Sequence, residues 1–207
     1  MCIRDRPGVS YGDIAERYYT VGQYMKEVKD VSKAMAAAGD SYICDEYLNA
    51  MGSPEAESVY VLHDLNNDGI EEFFIGLKFN YDIPYYVIYD VYTWKDGRAY
   101  QLMRGIGYRN GSCKICENGV IEDNYSGSAW DGQTLYHILP EGGIELETID
   151  SVSSRRDGTV QSYYHWNELI DENSLQTILE QYQPESVTYV DCNRETIEQL
   201  RLSGIRK

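Results

Sequence analysis

The chain has 207 residues, 43% of them hydrophobic, so it is long enough to bury one sizeable core or two small ones. It carries 34 acidic residues against 18 basic ones, which gives a formal net charge of −16 at pH 7. Such a charge repels phosphate backbones and anionic membrane surfaces, so neither nucleic acid nor a membrane surface is expected as a partner. The sequence also contains no run approaching the ~18 apolar residues of a membrane span.

The first six residues read MCIRDR, which resembles the translation of a sequencing-library adaptor. We therefore expect residues 1–6 not to belong to the native protein, and we predict a single domain over residues 7–207. On this interpretation the native N-terminus is missing, and any signal peptide or lipid anchor was lost with it.

Residues 11–52 are predicted to be helical. Apolar side chains recur at steps of four and three, which predicts an amphipathic helix over residues 13–35. These apolar positions are Ile14, Tyr18, Val21, Met25 and Val28. A shorter helix is expected from Asp40, and the turn formers at residues 52–54 end it.

Residues 58–168 show the two-residue periodicity and the β-favouring composition of strands. Four residue pairs in or near this region permit the positive φ angles of a tight hairpin turn. They are Asp96-Gly97, Asn118-Gly119, Gly142-Gly143 and Asp157-Gly158. Because these connections leave no room for crossover helices, we expect an antiparallel β-meander of about eight or nine strands.

Residues 172–203 are predicted to form C-terminal helices. Asn173 or Ser174 can cap a first helix that stops before Pro184, and Asn193 can open a second one. Together with the N-terminal helical segment, these elements predict an α+β fold in which the helices pack on the meander.

The stretch from Asp64 to Gly76 places oxygen-bearing side chains at alternate positions of a loop that leads into an apolar strand. The candidate metal ligands are the side chains of Asp64, Asn66, Asp68 and Glu72 and the backbone carbonyl of Ile70. This set approaches the ~6–8 oxygens that Ca²⁺ prefers, and Gly69 permits the positive φ that bends the loop over an ion. An Asx-rich turn without an ion is the alternative, although its carboxylates would repel one another with no Lys or Arg between residues 64 and 77.

The string D-L-N-N-D-G-I-E-E-F-F-I-G resembles the calcium loop of FG-GAP and VCBS repeats, and the resemblance implies the same five ligands. The chain has one such loop and not a tandem set, so a propeller is not expected. A wider resemblance covers most of residues 11–192 and rests on this loop, a Y-x-x-Y-x-W-K-D-G hairpin and an E-Q-Y-Q-P helix end. It points to uncharacterised secreted or lipid-anchored proteins of anaerobic gut bacteria, which implies an extracellular or cell-surface location.

Twenty tyrosines are many for this length, and five of them cluster in one predicted strand region. The cluster comprises Tyr81, Tyr85, Tyr86, Tyr89 and Tyr92. Alternation predicts that some face the core and others face outward, where tyrosine suits contacts with sugars or proteins. The alternative is that the tyrosines pack against cross-strand neighbours on a sheet with one solvent-exposed face.

The segment from Cys113 to Cys116 has the C-x-x-C form of redox and zinc sites. Strand positions three apart point to opposite faces, and no histidine lies nearby, so we expect ordinary thiols, with zinc or redox work as the alternative. Two disulfides among Cys44, Cys113, Cys116 and Cys192 are arithmetically possible.

These features favour a calcium-stabilised extracellular binding or interaction module that meets a glycan or a protein. No G-x-S-x-G and no H-E-x-x-H motif occurs, and His63, His137 and His165 are not spaced as a zinc pair, so an enzyme is not the favoured interpretation. The alternative is a hydrolase of cell-wall or other polysaccharide that uses paired carboxylates, such as Glu122 with Asp123 or Asp131.

Overall fold

The computed structural model describes residues 9–38, 43–105, 112–127, 129–139, 146–157 and 160–203. Within these residues five helices and eleven strands form two antiparallel sheets, which confirms the α+β class. The chain divides into two compact units. The first comprises Met1–Asp64, Gly69–Gly105 and Thr188–Lys207, and the second comprises Leu65–Asp68 and Ile106–Val187. The single domain over residues 7–207 stays a prediction, and residues 1–6 lie outside the described part.

The first unit begins with helix α1 (Tyr11–Val28), which starts at a capping box. The Ser10 hydroxyl accepts from the backbone N–H of Asp13 at 3.1 Å, and the Asp13 carboxylate accepts from the backbone N–H of Ser10 at 3.0 Å. Lys29 adopts a left-handed conformation with φ 52° and ends the helix.

Helix α2 (Val31–Ala38) follows this break directly. The single helix predicted over residues 13–35 is therefore two helices, because the left-handed Lys29 interrupts the hydrogen-bond ladder although the apolar periodicity continues. Helix α3 (Asp45–Met51) is capped by Cys44 and ends at Gly52, as expected from the turn formers there. The predicted helix start at Asp40 lies outside the described residues.

The first unit contains a five-stranded sheet with the order β11-β1-β2-β3-β4. Its strands are β1 (Ala56–His63), β2 (Glu72–Phe79), β3 (Tyr85–Lys95), β4 (Arg98–Arg104) and β11 (Val190–Asp191). The β3–β4 hairpin turns at Asp96-Gly97 with φ angles of 51° and 76°, which confirms this predicted turn.

Helices α1 and α3 cover one face of this sheet and bury its aromatic core. Tyr11 stacks on Phe73 with ring centroids 5.1 Å apart, and Tyr18 meets Tyr47 edge to face at 4.8 Å. Helix α5 (Arg194–Ser203) packs against α1, and Asn193 caps it by accepting from the N–H groups at the helix start, as predicted.

The second unit contains a six-stranded sheet with the order β10-β9-β8-β7-β6-β5, in which each strand pairs with the next along the chain. Its strands are β5 (Ser112–Cys116), β6 (Val120–Ser126), β7 (Trp130–Ile138), β8 (Leu146–Asp157), β9 (Val160–His165) and β10 (Glu168–Ile170). Asn118 and Gly119 have φ angles of 62° and 72°, which confirms the predicted β5–β6 turn. The pair Gly142-Gly143 and Gly158 lie outside the described residues.

Helix α4 (Glu172–Leu179) belongs to the second unit and ends well before Pro184. Its cap is Asp171, whose carboxylate accepts from the Ser174 N–H at 2.7 Å, so the helix starts earlier than a cap at Asn173 or Ser174 would allow. Across the described ranges, no helix combines the length and the apolar character needed to cross a membrane.

Candidate metal-binding loop and buried polar groups

The candidate metal-binding loop, residues 64–71, joins strands β1 and β2. These strands pair antiparallel in a register that places His63 opposite Glu72 at the base of the loop. Gly69 has φ 85°, the positive value predicted for it, and Asn67 has φ 57°. Both residues therefore bend the loop back on itself at positions where Gly and Asn are the best-tolerated residue types.

Three acidic or amide side chains hydrogen-bond within this loop. The Asp64 Oδ2 accepts from the Gly69 N–H at 2.9 Å, which closes the turn. The Asn66 Oδ1 accepts from the Asp68 N–H at 3.1 Å, and the Asn66 amide donates to the Asp68 Oδ2 at the same distance. These bonds keep the side chains of Asp64, Asn66 and Asp68 turned toward their own loop.

Glu71 and Glu72 lie on opposite sides of the chain, as strand alternation predicts. Glu71 is exposed, whereas Glu72 is fully buried and accepts a hydrogen bond from the Thr93 hydroxyl at 2.9 Å. The Tyr11 hydroxyl donates to the Glu71 carbonyl oxygen at 3.0 Å. The chain that leaves the loop is thus held firmly in strand β2.

The chemistry of the five predicted ligands suits a hard cation, because each would bind the ion through an oxygen atom and none through nitrogen or sulfur. Within the described ranges, no three His, Cys, Asp or Glu side chains gather closely enough to hold a metal ion, and the predicted set relies on the Asn66 amide and the Ile70 carbonyl as well. The hydrogen bonds of the loop are those of an Asx-rich turn with or without an ion. Calcium ligation by this loop stays a prediction.

The tyrosine cluster divides between core and surface, but by position along β3 and not by alternation, because the successive residues Tyr85 and Tyr86 are both exposed. Tyr89 and Tyr92 are buried in the core of the first unit. Tyr81 and Tyr85 are 51% and 47% exposed and stack with ring centroids 5.8 Å apart. Phe79 extends this stack, since its ring lies 4.7 Å from that of Tyr85. An aromatic row therefore runs from the core to the surface at the β2–β3 end.

The four cysteines of the described residues, Cys44, Cys113, Cys116 and Cys192, are buried and unpaired. Burial raises the pKa of the Cys113 thiol well above its usual value. Burial also raises the pKa of Cys116 to about 12, with a contribution from the Glu122 carboxylate beside it. Because the thiolate is the reactive form, these residues have the character of packed thiols.

The carboxylate pairs considered for a hydrolase are separated by the sheet geometry. Glu122 and Asp123 are neighbours on β6, so their side chains point to opposite faces. Glu122 pairs with Leu135 and Asp131 pairs with Ser126 in the β6–β7 register, which places the two acids about 14 Å apart along the strands. Inverting glycosidases need about 6.5–9.5 Å, so the register does not bring either pair together for that chemistry.

Glu122 is instead a buried carboxylate with several donors. Its oxygens accept from the Asn124 amide at 2.6 Å, from the Gln133 amide at 3.2 Å and from the Lys114 ammonium at 3.3 Å. The Cys116 thiol lies 3.5 Å away. This network compensates the cost of burying a charge, which is a structural role.

A second polar network, centred on the buried Asp150, joins residues that are distant in sequence. His165 Nε2 lies 2.7 Å from Asp150 Oδ1, and the Tyr182 hydroxyl donates to Asp150 Oδ2 at 3.0 Å. Burial and the Asp150 carboxylate raise the pKa of Tyr182 to about 12. The sequence offers one signal for this network, because Asp150 occupies an inward-facing position of strand β8. No local pattern identifies His165 and Tyr182 as its partners.

Asp90 is a further buried acid, in the core of the first unit. It accepts hydrogen bonds from the Tyr18 hydroxyl, from the Gly105 N–H at 3.1 Å and from the Gln101 amide at 3.3 Å. Burial raises the pKa of Asp90 to about 7, although the Tyr18 and Gly105 hydrogen bonds and the Arg104 charge oppose the rise. Asp90 was not singled out by sequence, because it lies within a β-favouring aromatic run.

Comparison with protein-family models, with curated proteins and with solved structures found no match to this chain.

Proposed function

We propose that this chain is an extracellular or cell-surface binding module stabilised by Ca²⁺, with a glycan or a protein as its ligand. The observation that carries the proposal is the closed loop of residues 64–71, in which Asp64 binds the Gly69 N–H and three oxygen-bearing side chains share one turn. Calcium would supply a positive charge that offsets the mutual repulsion of the carboxylates.

The loop supports this proposal through its position between two central strands. Residues 64–71 connect β1 and β2, which pair over their whole length in the first unit. Asp64, Asn66 and Asp68 would hold the ion from the loop, the Ile70 carbonyl would add a backbone oxygen, and Glu72 would anchor it to the sheet. Ordering this connection would reduce the local opening of both strands.

The exposed rings of Tyr81 and Tyr85, which stack on the buried Phe79, support a binding role in the first unit. Tyrosine rings present a large, stiff and amphipathic surface at low cost in conformational entropy, which suits contacts with sugars and proteins. Ile83 lies within the same β2–β3 connection and is 83% exposed. Such exposure of aromatic and aliphatic groups together is consistent with a contact surface.

The net charge supports an extracellular setting. A charge of −16 suits a protein that meets millimolar Ca²⁺, and it disfavours nucleic acid as a partner. The unpaired thiols do not oppose this location, because burial with a raised pKa keeps a thiol from oxidation.

The test is a binding screen of the purified chain on glycan and protein arrays, once with millimolar CaCl₂ and once with EDTA, together with thermal melting in both buffers. We expect calcium to raise the melting temperature and at least one array ligand to bind without being hydrolysed. Equal melting temperatures in both buffers would overturn the calcium part. Turnover of an array glycan, abolished by one Asp or Glu substitution outside residues 64–72, would favour the hydrolase instead.

A further inference from the structure

An open groove of about 380 Å³ lies on one face of the six-stranded sheet, beside helix α4. Two rows of cross-strand partners form its floor and sides. The first row contains Asn124, Gln133 and Val152, and the second contains Ser126, Asp131 and Ser154. Leu175 and Leu179 contribute an apolar wall from the helix. The volume falls within the ~300–1,000 Å³ that is usual for small-molecule sites.

The polar groups of the groove are predominantly uncharged. Two carboxamides and the serine hydroxyls offer both donors and acceptors, and among the described lining residues Asp131 is the one with a charged side chain. Asp131 already accepts a hydrogen bond from the Ser126 hydroxyl. The apolar surface of Val152, Leu175 and Leu179 lies beside these groups.

Gln133 gives an independent sign that this site takes a ligand. Its amide nitrogen donates to Glu122, but its Oε1 is buried and accepts no hydrogen bond from the described part of the chain. An unsatisfied buried acceptor costs about 1–3 kcal/mol, and native proteins retain few of them. Because this oxygen is closed to solvent, a ligand hydroxyl would reach it once the Gln133 side chain turns toward the groove, and that hydrogen bond would remove the cost.

We propose that this groove binds a short segment of a neutral oligosaccharide. The inference rests on the proposed binding function and names its ligand class and site. A sugar ring presents hydroxyls at its edge and C–H groups on its faces. The hydroxyls match the amides of Asn124 and Gln133 and the hydroxyl of Ser154, and the C–H face matches Leu175 and Leu179.

The charge of the groove disfavours the other small ligands. An anionic sugar or a phosphate would meet the Asp131 carboxylate, and no Lys or Arg stands among the lining residues that the structure describes to compensate it. A polyamine would pair with Asp131 and donate to the carboxamide and hydroxyl oxygens, yet an ammonium group accepts no hydrogen bond and offers nothing to the amide and hydroxyl donors of the groove. A neutral sugar hydroxyl can donate to Asp131 and can also exchange hydrogen bonds with the carboxamide and hydroxyl groups.

The test is isothermal titration calorimetry of the full chain in millimolar CaCl₂ with defined probes. The neutral probes are maltotetraose, cellotetraose, xylotetraose and mannotetraose, the anionic probe is a galacturonic acid trimer, and the cationic probe is spermidine. We expect at least one neutral tetrasaccharide to bind at submillimolar to millimolar concentration. The trimer and spermidine should give no saturable heat.

Two variants locate the binding in the groove. Gln133→Leu removes the unsatisfied acceptor at similar size and should weaken binding about tenfold, which corresponds to roughly 1.4 kcal/mol. Ser154→Phe fills the groove with a ring and should abolish binding. The matched controls are Gln176→Leu, at an exposed position of α4 outside the lining, and Ser162→Phe, whose register with Arg155 places it on the opposite sheet face. Both controls should bind as the native chain does.

Three results would overturn the inference: no neutral probe binds, spermidine or the acidic trimer binds more tightly, or binding survives Ser154→Phe with an unchanged melting temperature. The last result retains its meaning if Gln133→Leu fails to fold, because the two variants sit on different strands. Each result leaves the proposed function standing if an array ligand binds elsewhere. If no array ligand binds and calcium does not change the melting temperature, the proposed function itself is rejected.

Discussion

Asp68 is the residue whose substitution best tests the loop, because it is exposed and lies at the centre of the predicted ligand set. A site with a dissociation constant near ~10 μM would gain roughly 2.7 kcal/mol of native-state stability in ~1 mM Ca²⁺ by mass action. At about 2–4 °C per kcal/mol, the melting temperature should rise by roughly 5–11 °C. We expect Asp68→Ala to remove most of this rise, measured by thermal melting in CaCl₂ against EDTA at equal ionic strength.

Glu71→Ala is the matched control for Asp68→Ala. Glu71 is an exposed acid in the same connection, but it points away from the side that Glu72 occupies. Its removal should leave the calcium-dependent rise unchanged. If both variants lose the same fraction of the rise, the effect of calcium is a general response to negative charge and the loop is a polar turn.

Asp90 makes the stability of the chain depend on pH. Its folded-state pKa of about 7 lies above the usual value, so the folded state retains a proton that the unfolded state has released. The contribution of Asp90 to the free energy of unfolding is therefore most favourable below about pH 4 and is lost as the pH rises toward 7. The free energy of unfolding falls over this range by up to about 1.4 kcal/mol per pH unit.

Asp90→Asn should remove this dependence, because a carboxamide does not titrate. We expect the free energy of unfolding of the variant, relative to that of the native chain, to increase between pH 4 and pH 7 and then to level off. Urea denaturation at several pH values measures this difference. A difference that stays constant over that range would show that Asp90 is already ionised in the folded state.

At the scale of the elements, strand pairing requires a glycine at one position of β2. A Cβ on Gly76 would lie 2.1 Å from the Val87 carbonyl oxygen, at the point where the β2–β3 register shifts. The contacting atoms belong to backbone, so the strands would have to separate. Gly76→Ala should therefore destabilise the chain by about 3 kcal/mol.

Gly97→Ala is the control for this substitution. Gly97 has φ 76°, and a Cβ there meets nothing within 4 Å, so the substitution costs only the left-handed backbone strain of about 1–2 kcal/mol. Urea denaturation of both variants gives the comparison. A larger loss for Gly97→Ala than for Gly76→Ala would contradict the close approach of β2 to β3.

At the scale of the whole molecule, the net charge of −16 governs association with other polyanions. We expect no binding to duplex DNA or to phosphatidylserine vesicles at physiological salt, because the charges repel and the Debye length is about 8 Å. Electrophoretic mobility shift and vesicle co-sedimentation measure this, with phosphatidylcholine vesicles as the neutral control. Salt-sensitive binding to either polyanion would reveal a basic surface that the summed charge conceals.

Features that depend on local backbone preference could be predicted from the sequence. The turns at Asp96-Gly97 and Asn118-Gly119 were predictable because both residues of each pair tolerate positive φ. The opposite placement of Glu71 and Glu72 followed from the two-residue period of a strand, and the α+β class followed from the order of the periodicities. Each of these features is encoded within a few neighbouring residues.

How those elements combine could not be predicted from local sequence and is seen only in the folded chain. The apolar periodicity of the sequence continues through Lys29. The break between α1 and α2 is therefore visible only from the left-handed backbone conformation of Lys29. The division of the strands into two sheets and the meeting of Asp150, His165 and Tyr182 depend on pairing between distant segments. The groove depends on the same pairing, because its two rows of side chains come from different strands and its wall from a helix. Local sequence specifies dihedral angles and period, whereas strand register and long-range packing set which side chains share a surface.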